Sequence, residues 1–225
     1  MASNFVEVGI ETEQLHRLTT NLPAETRKDV LVWLGLILKA QEFLRQIERG
    51  TQRISTSVKA VEEYSYLDRA PQQLVDIHEG IESTLIILRH KQKQYGVAVI
   101  REYDLKLPLI ECYASELNQV WTNLIDNAID SLSKKTIGEK QIWIHTLKDG
   151  SFLVVEIVDN GIGIEEHVQR RIFDPYFTTK EVGQGSGLGF LISYRIVVEH
   201  HREDISVESL PGKTRFRVRL PIFLN

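Results

Sequence analysis

One cysteine, Cys112, is all the thiol chemistry that this sequence of 225 residues holds. Its solitude excludes an internal disulfide and a cysteine-based zinc site and fits a reducing cytoplasm; its simplest use is as a small core residue. Long apolar runs are scarce as well. The longest, Val30 to Leu38, is bounded by Asp29 and Lys39, and falls well short of the ~20 residues that a membrane-spanning helix needs. Met1 to Glu11 lacks the positive region and apolar stretch of a secretory signal, so nothing there points to export. Basic blocks are missing too. Lys and Arg number 27 against 31 Asp and Glu, for a formal charge of -4, and no cluster marks a footprint for nucleic acid or anionic lipid. What is present, 42% hydrophobic and 26% charged residues, is the balance of a globular protein with a real core. The length suits one sizeable domain plus a smaller one.

Pro23, followed by Ala24 to Arg27, reads as a first helical turn, because proline there loses only an amide that had no partner. From Val30 to Leu44 the chain is too apolar to lie exposed. Ile54, Val58, Val61 and Leu67 then recur near helical spacing, a stripe that wants partner helices. Gly50 and Thr51 are expected to break this region into two helices, and Pro71 to close it. The pattern changes afterwards: Leu74 to Ile77 reads as a short strand, Glu79 to His90 as a helix and Val97 to Tyr103 as a strand. Ser115 to Leu132 reads as a helix capped by Ser115, with Leu117, Val120, Trp121, Leu124, Ile125, Ala128 and Leu132 on one face. Gln141 to Leu147 and Phe152 to Val158 form an expected antiparallel hairpin. A loop-rich region from Asp159 to about Gly187 follows, then a helix from Leu188 to His200. A second hairpin, Ile205 to Ser209 with Arg215 to Leu220, turns around Pro211 and Gly212.

Two glycine clusters stand out: DNGIGI at Asp159 to Ile164, directly after a strand, and GQGSGLGF at Gly183 to Phe190, directly before a helix. Closely spaced glycines let a backbone turn tightly and approach a ligand, and a helix start offers unpaired amides to a phosphate. Neither cluster is a Walker loop, since no Gly-Lys-Ser/Thr follows. Two flexible loops are the plain alternative for each cluster taken alone. Asn123 and Asn127, in NLIDNA, stand four residues apart on one helical face, so both amides can meet one ligand. An amide oxygen suits Mg²⁺, which takes one or two protein oxygens and completes its shell with phosphate and water.

In this order, NLIDNA, DNGIGI, FDPYFTTK, GQGSGLGF and GKTRFRVRLP resemble the ATP-binding domain of sensor histidine kinases, in the superfamily of gyrase, Hsp90 and MutL. The resemblance covers about Val75 to Leu220. It implies an α+β fold: a two-layer sandwich of the Bergerat type, with a mixed, mostly antiparallel sheet and helices on one face. It divides the chain into a helical dimerisation region at 1–70 and an ATP-binding catalytic domain at 71–225. By the resemblance, Asn127 ligates Mg²⁺ on the ATP phosphates, Asn123 stands near the γ-phosphate and its water, and Asp159 accepts a hydrogen bond from the adenine amino group. Gly161 and Gly163 let that loop close over the base. Phe173, Pro175 and Phe177 resemble the aromatic box that supports a mobile lid, with core packing as the rival role for the phenylalanines. Gly183, Gly185, Gly187, Leu188 and Gly189 shape the lid and present backbone amides to the triphosphate. Thr214 assists adenine recognition. For Lys180, a phosphate contact and a solvated lid charge both stay open.

Hydrolases of the superfamily resemble one another in having Glu where this chain has Asn123. An amide takes no proton, which favours phosphoryl transfer to a protein side chain over hydrolysis. The phosphoacceptor motif of such kinases, His followed by an acid, is missing: His16 is followed by Arg17, and His78, though followed by Glu79, has no proline after it. Arg53 to Leu67 resembles the second helix of the dimerisation hairpin. The expectation is a fragment, or a kinase whose acceptor histidine lies upstream or on another chain. It would act as a homodimer through its N-terminal helices, with a response regulator or acceptor protein as partner. An ATP hydrolase and a non-catalytic ATP-sensing scaffold are the alternatives.

Overall fold

A computed structural model of the protein describes residues 23–67, 72–180 and 186–223. Its contacts divide the chain into two units, with the boundary between Val58 and Lys59. Helix α1 (Ala24–Leu67) starts directly after Pro23, whose carbonyl accepts a hydrogen bond from the Arg27 amide at 2.9 Å. It runs unbroken through Gly50 and Thr51, against the expected division into two helices. A mid-helix glycine costs only about 1 kcal/mol relative to alanine, and the Thr51 hydroxyl folds back to donate to the Ile47 carbonyl at 2.9 Å. Trp33, Leu36, Phe43, Leu44 and Ile47 on this helix are all more than half exposed. The side chains of Ile54, Val58, Val61 and Leu67, and the whole of Pro71, lie outside the described set.

From residue 72 onward the elements are β1 (Gln73–Val75), α2 (Ile77–Ile87), α3 (Arg89–Tyr95), β2 (Val97–Tyr103), β3 (Ile110–Cys112), α4 (Ala114–Ser133), β4 (Lys140–Asp149), β5 (Phe152–Asp159), α5 (Glu166–Gln169), α6 (Gly189–Tyr194), β6 (Ile205–Leu210) and β7 (Lys213–Pro221). A π-helical segment, Arg195–His200, continues α6. Five strands form one sheet in the order β2-β4-β5-β7-β6, while β1 and β3 pair separately. β2 runs parallel to β4, which requires a crossover between them, and α4 supplies it. All other pairs in the sheet are antiparallel. The result is the expected mixed, mostly antiparallel sheet with helices on one face.

The core lies between that face and α4. Leu117, Val120, Trp121, Leu124, Ile125, Ile129 and Leu132 of α4 are buried, and below them lie Ile142 and Ile144 of β4, Leu153, Val155 and Ile157 of β5, and Phe216, Val218 and Leu220 of β7. Alternation does the sorting in β7: Thr214, Phe216, Val218 and Leu220 are buried, while Arg215 and Arg217 between them reach Glu156 on the opposite face.

Several boundaries differ from the sequence reading. Ile77 opens α2 instead of ending a strand, because Asp76 caps the helix by accepting from the His78 amide. α4 begins at Ala114, with Tyr113 at the cap position and no side-chain cap bond, so Ser115 is not the cap. β3 is only three residues long, too short to show a period.

A cavity-forming substitution tests this layering. Leu124→Ala, at the fully buried centre of α4, is expected to lower the unfolding free energy by about 2–5 kcal/mol in urea denaturation. Ile137→Ala, at a position 85% exposed, should stay within about 0.5 kcal/mol of wild type.

Candidate functional site

Strand register fixes the floor of the site. Asp159 ends β5 and is paired directly with Thr214 of β7, so the two polar side chains lie side by side where the sheet stops. Both are buried, at 3% and 2% exposure. The Asp159 carboxylate accepts hydrogen bonds through Oδ1 from the Gly161 amide at 2.9 Å and the Ser131 hydroxyl at 3.2 Å. Burial pushes this carboxyl up from its ordinary 3.8 to about 6, against the opposing pull of Gly161, Ser131 and the Lys135 charge. Thr214 shares a hydrogen bond of 2.8 Å with Ser209, whose hydroxyl also accepts from the Ile164 amide at 2.8 Å. That amide ties the DNGIGI loop to the β6–β7 hairpin.

Gly161 has no room for a side chain. A Cβ there would stand 2.1 Å from Ser131 Oγ and 2.6 Å from Asp159 Oδ1, so any other residue breaks the contact that holds the carboxylate. Gly187 is equally constrained, with φ +67 and the Tyr176 carbonyl carbon 2.5 Å from where a Cβ would be.

The wall comes from α4. Asn123, Asn127 and Ser131 fall at successive helical turns on the face beside the cavity. Asn123 donates through its side-chain amide to two groups of α6, Gly189 O at 2.9 Å and Ser193 Oγ at 3.2 Å. It therefore pins the helix that carries Leu188 and Gly189 onto α4. Asn127 donates to the Asn123 backbone carbonyl at 2.7 Å, and its Oδ1 is left without a donor among the described residues. Leu188 precedes α6 and its amide donates to Ser186 Oγ at 3.3 Å.

Together these groups bound a cavity of about 330 Å³, within the range of small-molecule sites. Asn123, Asn127, Asp159, Gly163, Lys180, Gly187, Gly189 and Thr214 all line it. Gly161 stands behind the floor, holding Asp159. Gly183 and Gly185 lie outside the described residues. Of the aromatic trio, Phe177 lines the cavity, with the Arg171 guanidinium 4.5 Å from its ring centroid. Phe173 packs edge-on to Phe190 at 6.3 Å, and Pro175 is exposed. Lys180 stands 2.5 Å from Asp130, a carboxylate of α4 that also lines the cavity, so it is neither a free lid charge nor unpartnered.

Sequence reasoning missed Ser131, Asp130, Phe190 and Phe216. Ser131 had a signal, since it extends the Asn123–Asn127 face by one more turn. Phe190, stacked on Phe216 at 5.0 Å, stands in the cavity lining directly after Gly189.

A buried acid beside a buried hydroxyl, an amide oxygen without a donor among the described residues, and Gly187 and Gly189 along a pocket of this size mark a small-molecule site in an α/β sandwich. Residues 112–223 match the family described as histidine kinase-, DNA gyrase B-, and HSP90-like ATPase. The chain is 34% identical over 183 residues to the signal transduction histidine-protein kinase AtoS of Escherichia coli, covering 81% of this chain and 29% of AtoS. It is 29% identical over 230 residues to the sensory histidine kinase/phosphatase NtrB of Rhodobacter capsulatus, covering 96% of this chain and 62% of NtrB. The crystallised catalytic domain of histidine kinase ThkA superposes with a TM-score of 0.60 at 26% identity, over 68% of this chain and 96% of that one. The chain belongs to this family, among its sensor histidine kinase catalytic domains. Among the described residues no helix is long and apolar enough to cross a membrane.

The raised Asp159 pKa has a measurable sign. The folded state holds the proton more tightly than the unfolded chain, so the stability contributed is full below 3.8 and is lost as pH rises through about 6. Asp159→Asn removes that loss. Between about pH 4 and pH 7 the variant should gain about 2–3 kcal/mol relative to wild type in urea denaturation. Parallel pH profiles would show that the carboxyl is not desolvated.

Proposed function

We propose that this chain is the catalytic core of a sensor histidine kinase in two-component signalling. It binds Mg-ATP in the cavity between α4, the β5–β7 floor and the glycine-rich loop, and it donates the γ-phosphoryl group to a histidine presented from upstream or by another chain. In this reading residues 71–225 are the ATP-binding catalytic domain and residues 1–70 the helical dimerisation region.

Asp159, as a carboxylate, accepts from the adenine amino group, with Thr214 beside it to complete recognition of the base. Gly163 lets the loop pass close over the ring. The donor set fits magnesium. Asn127, whose neutral amide oxygen takes no donor among the described residues, lines the cavity, and Mg²⁺ characteristically takes few protein oxygens and fills its shell with phosphate and water. Bound there, the ion would neutralise charge on the phosphates. Gly187, Leu188 and Gly189 present backbone amides to the triphosphate, with Gly183 and Gly185 continuing the same lid. Lys180 adds a cation at the phosphate end.

The observation that carries transfer over hydrolysis is the state of Asn123. Its amide has no proton-accepting capacity, and it donates to Gly189 and Ser193. The nearby acids do not replace it as a base for water: Asp130 is held by Lys180 and Lys91, and Asp126 by Lys91. Phosphoryl transfer needs little from a protein beyond positioning and charge neutralisation, and this cavity offers both. His78, His90, His145, His167, His200 and His201 all lie away from the lining, so the acceptor enters from elsewhere. His16 lies outside the described residues.

The exposed apolar side chains on α1, Trp33, Leu36, Phe43, Leu44 and Ile47, support a homodimer through the N-terminal helices, since such a stripe is costly to leave in water. A response regulator or acceptor protein is the partner downstream, and the cytoplasm, with its ATP and reduced thiols, is the setting.

Incubation with γ-labelled ATP, Mg²⁺ and a histidine-bearing acceptor domain should give acid-labile label on the acceptor. Asn127→Ala should lower the rate on the order of a hundredfold. Steady phosphate release without labelled protein, persisting in Asn123→Ala, would contradict the kinase reading.

A further inference from the structure

Next to the cavity, two acids and two lysines form a chain that the sequence motifs do not announce. Asp126 and Asp130 are four residues apart on α4, where like charges repel. Both line the cavity. Lys91, on α3, reaches across to both: its Nζ is 2.5 Å from Asp126 Oδ1 and 2.5 Å from Asp130 Oδ1. The second oxygen of Asp130 takes Lys180 at 2.5 Å. Lys91 is not part of the cavity lining, yet it touches both carboxylates that are.

The chemistry at stake is charge. The phosphates of ATP carry several negative charges, and two uncompensated carboxylates at their end of the cavity would oppose them. The carboxylates are partly sheltered, Asp126 at 36% and Asp130 at 25% side-chain exposure, so water screens them incompletely. Lys91 cancels one charge outright. It also divides Asp130 between two ammonium groups, so Lys180 keeps positive potential to spare for the phosphates. Without Lys91, Asp130 would hold Lys180 alone, and Asp126 would stand at the cavity with no counter-ion among the described residues.

Resting on the reading of the cavity as an adenine-nucleotide site, we infer that Lys91 is a positioning residue for phosphate binding: by sharing its positive charge between Asp126 and Asp130 it frees Lys180 for the nucleotide and sets the preference for ATP over the uncharged nucleoside. Burial disfavours the Lys91 charge, but hydrogen bonds to Asp126 and Asp130 more than offset this and hold its pKa above the ordinary lysine value. Asp130 is held below the usual carboxylate range by Lys180 and Lys91, although burial acts in the other direction.

Calorimetric titration of the full chain with adenosine and with a non-hydrolysable ATP analogue, both with Mg²⁺, tests the assignment. Lys91→Met should weaken the analogue about tenfold, the scale of one unscreened charge in a partly hydrated site, and leave adenosine within about twofold. Adding Asp126→Asn to Lys91→Met should restore most of the loss, Lys91→Arg should keep near-wild-type affinity, and the deficit should shrink as salt is raised. Should Lys91→Met not fold, Asp126→Asn alone must still tighten the analogue relative to wild type and leave adenosine unchanged. Equal weakening of both ligands, no weakening of either, or failure of Asp126→Asn to rescue would overturn the role of Lys91 and leave the nucleotide reading standing. Wild type that binds neither ligand would overturn both.

Discussion

A carboxylate buried at the end of a strand is expensive, and the arrangement around Asp159 is organised by that expense. Among the described residues a backbone amide and one hydroxyl donate to it, with the Lys135 charge acting in the same direction, and they answer its charge incompletely, because burial still raises its pKa to about 6. The residual deficit is what a ligand with a hydrogen-bond donor would relieve. Perturbed acids of this kind are characteristic of functional sites. The partners of Asp159 then dictate the neighbourhood: Gly161 must lack a side chain, Ser131 must come from α4, and Thr214 must stand opposite in register.

α4 links that chemistry to stability. Three angular sectors of a single helix divide the labour. Leu117, Val120, Trp121, Leu124, Ile125, Ile129 and Leu132 hold the helix on the sheet. Asn123, Asn127 and Ser131 line up along the cavity. Asp126 and Asp130 turn toward Lys91 of α3 and Lys180 of the loop. Because the apolar sector fixes the rotation of the helix, the positions of all the polar groups follow from core packing. Asn123 extends the same rigidity to α6 through its two hydrogen bonds.

Much of this was legible in the sequence, and the exceptions have physical causes. β2 and the two hairpins of the large sheet carry β-branched alternation and glycine turns, so β2 came through at both ends and the hairpin strands within two residues. β3, three residues long, offers no period, and its pairing with β1 is a tertiary event. Gly50 shows that one weak position does not stop a long helix. The π-helical segment after α6 leaves no mark in residue spacing, yet it ends where His200 meets the buried Glu116 at 2.9 Å. In the site, the paired asparagines were visible from their four-residue helical spacing, and Asp159 and Thr214 from short motifs next to glycines. The ion network was not, because Lys91 meets α4 only through the packing of α3 on it, 35 residues from Asp126 in sequence.

Amide chemical shifts of the isotopically labelled chain, followed while a magnesium-bound, non-hydrolysable ATP analogue is titrated in, test the central claim most directly. The account predicts the largest changes at Gly161, Gly163, Gly187 and Thr214, together with the side-chain amide of Asn127. Saturating analogue that leaves those signals in place, or moves only residues on the far face of the sheet such as Arg217 and His145, would contradict it.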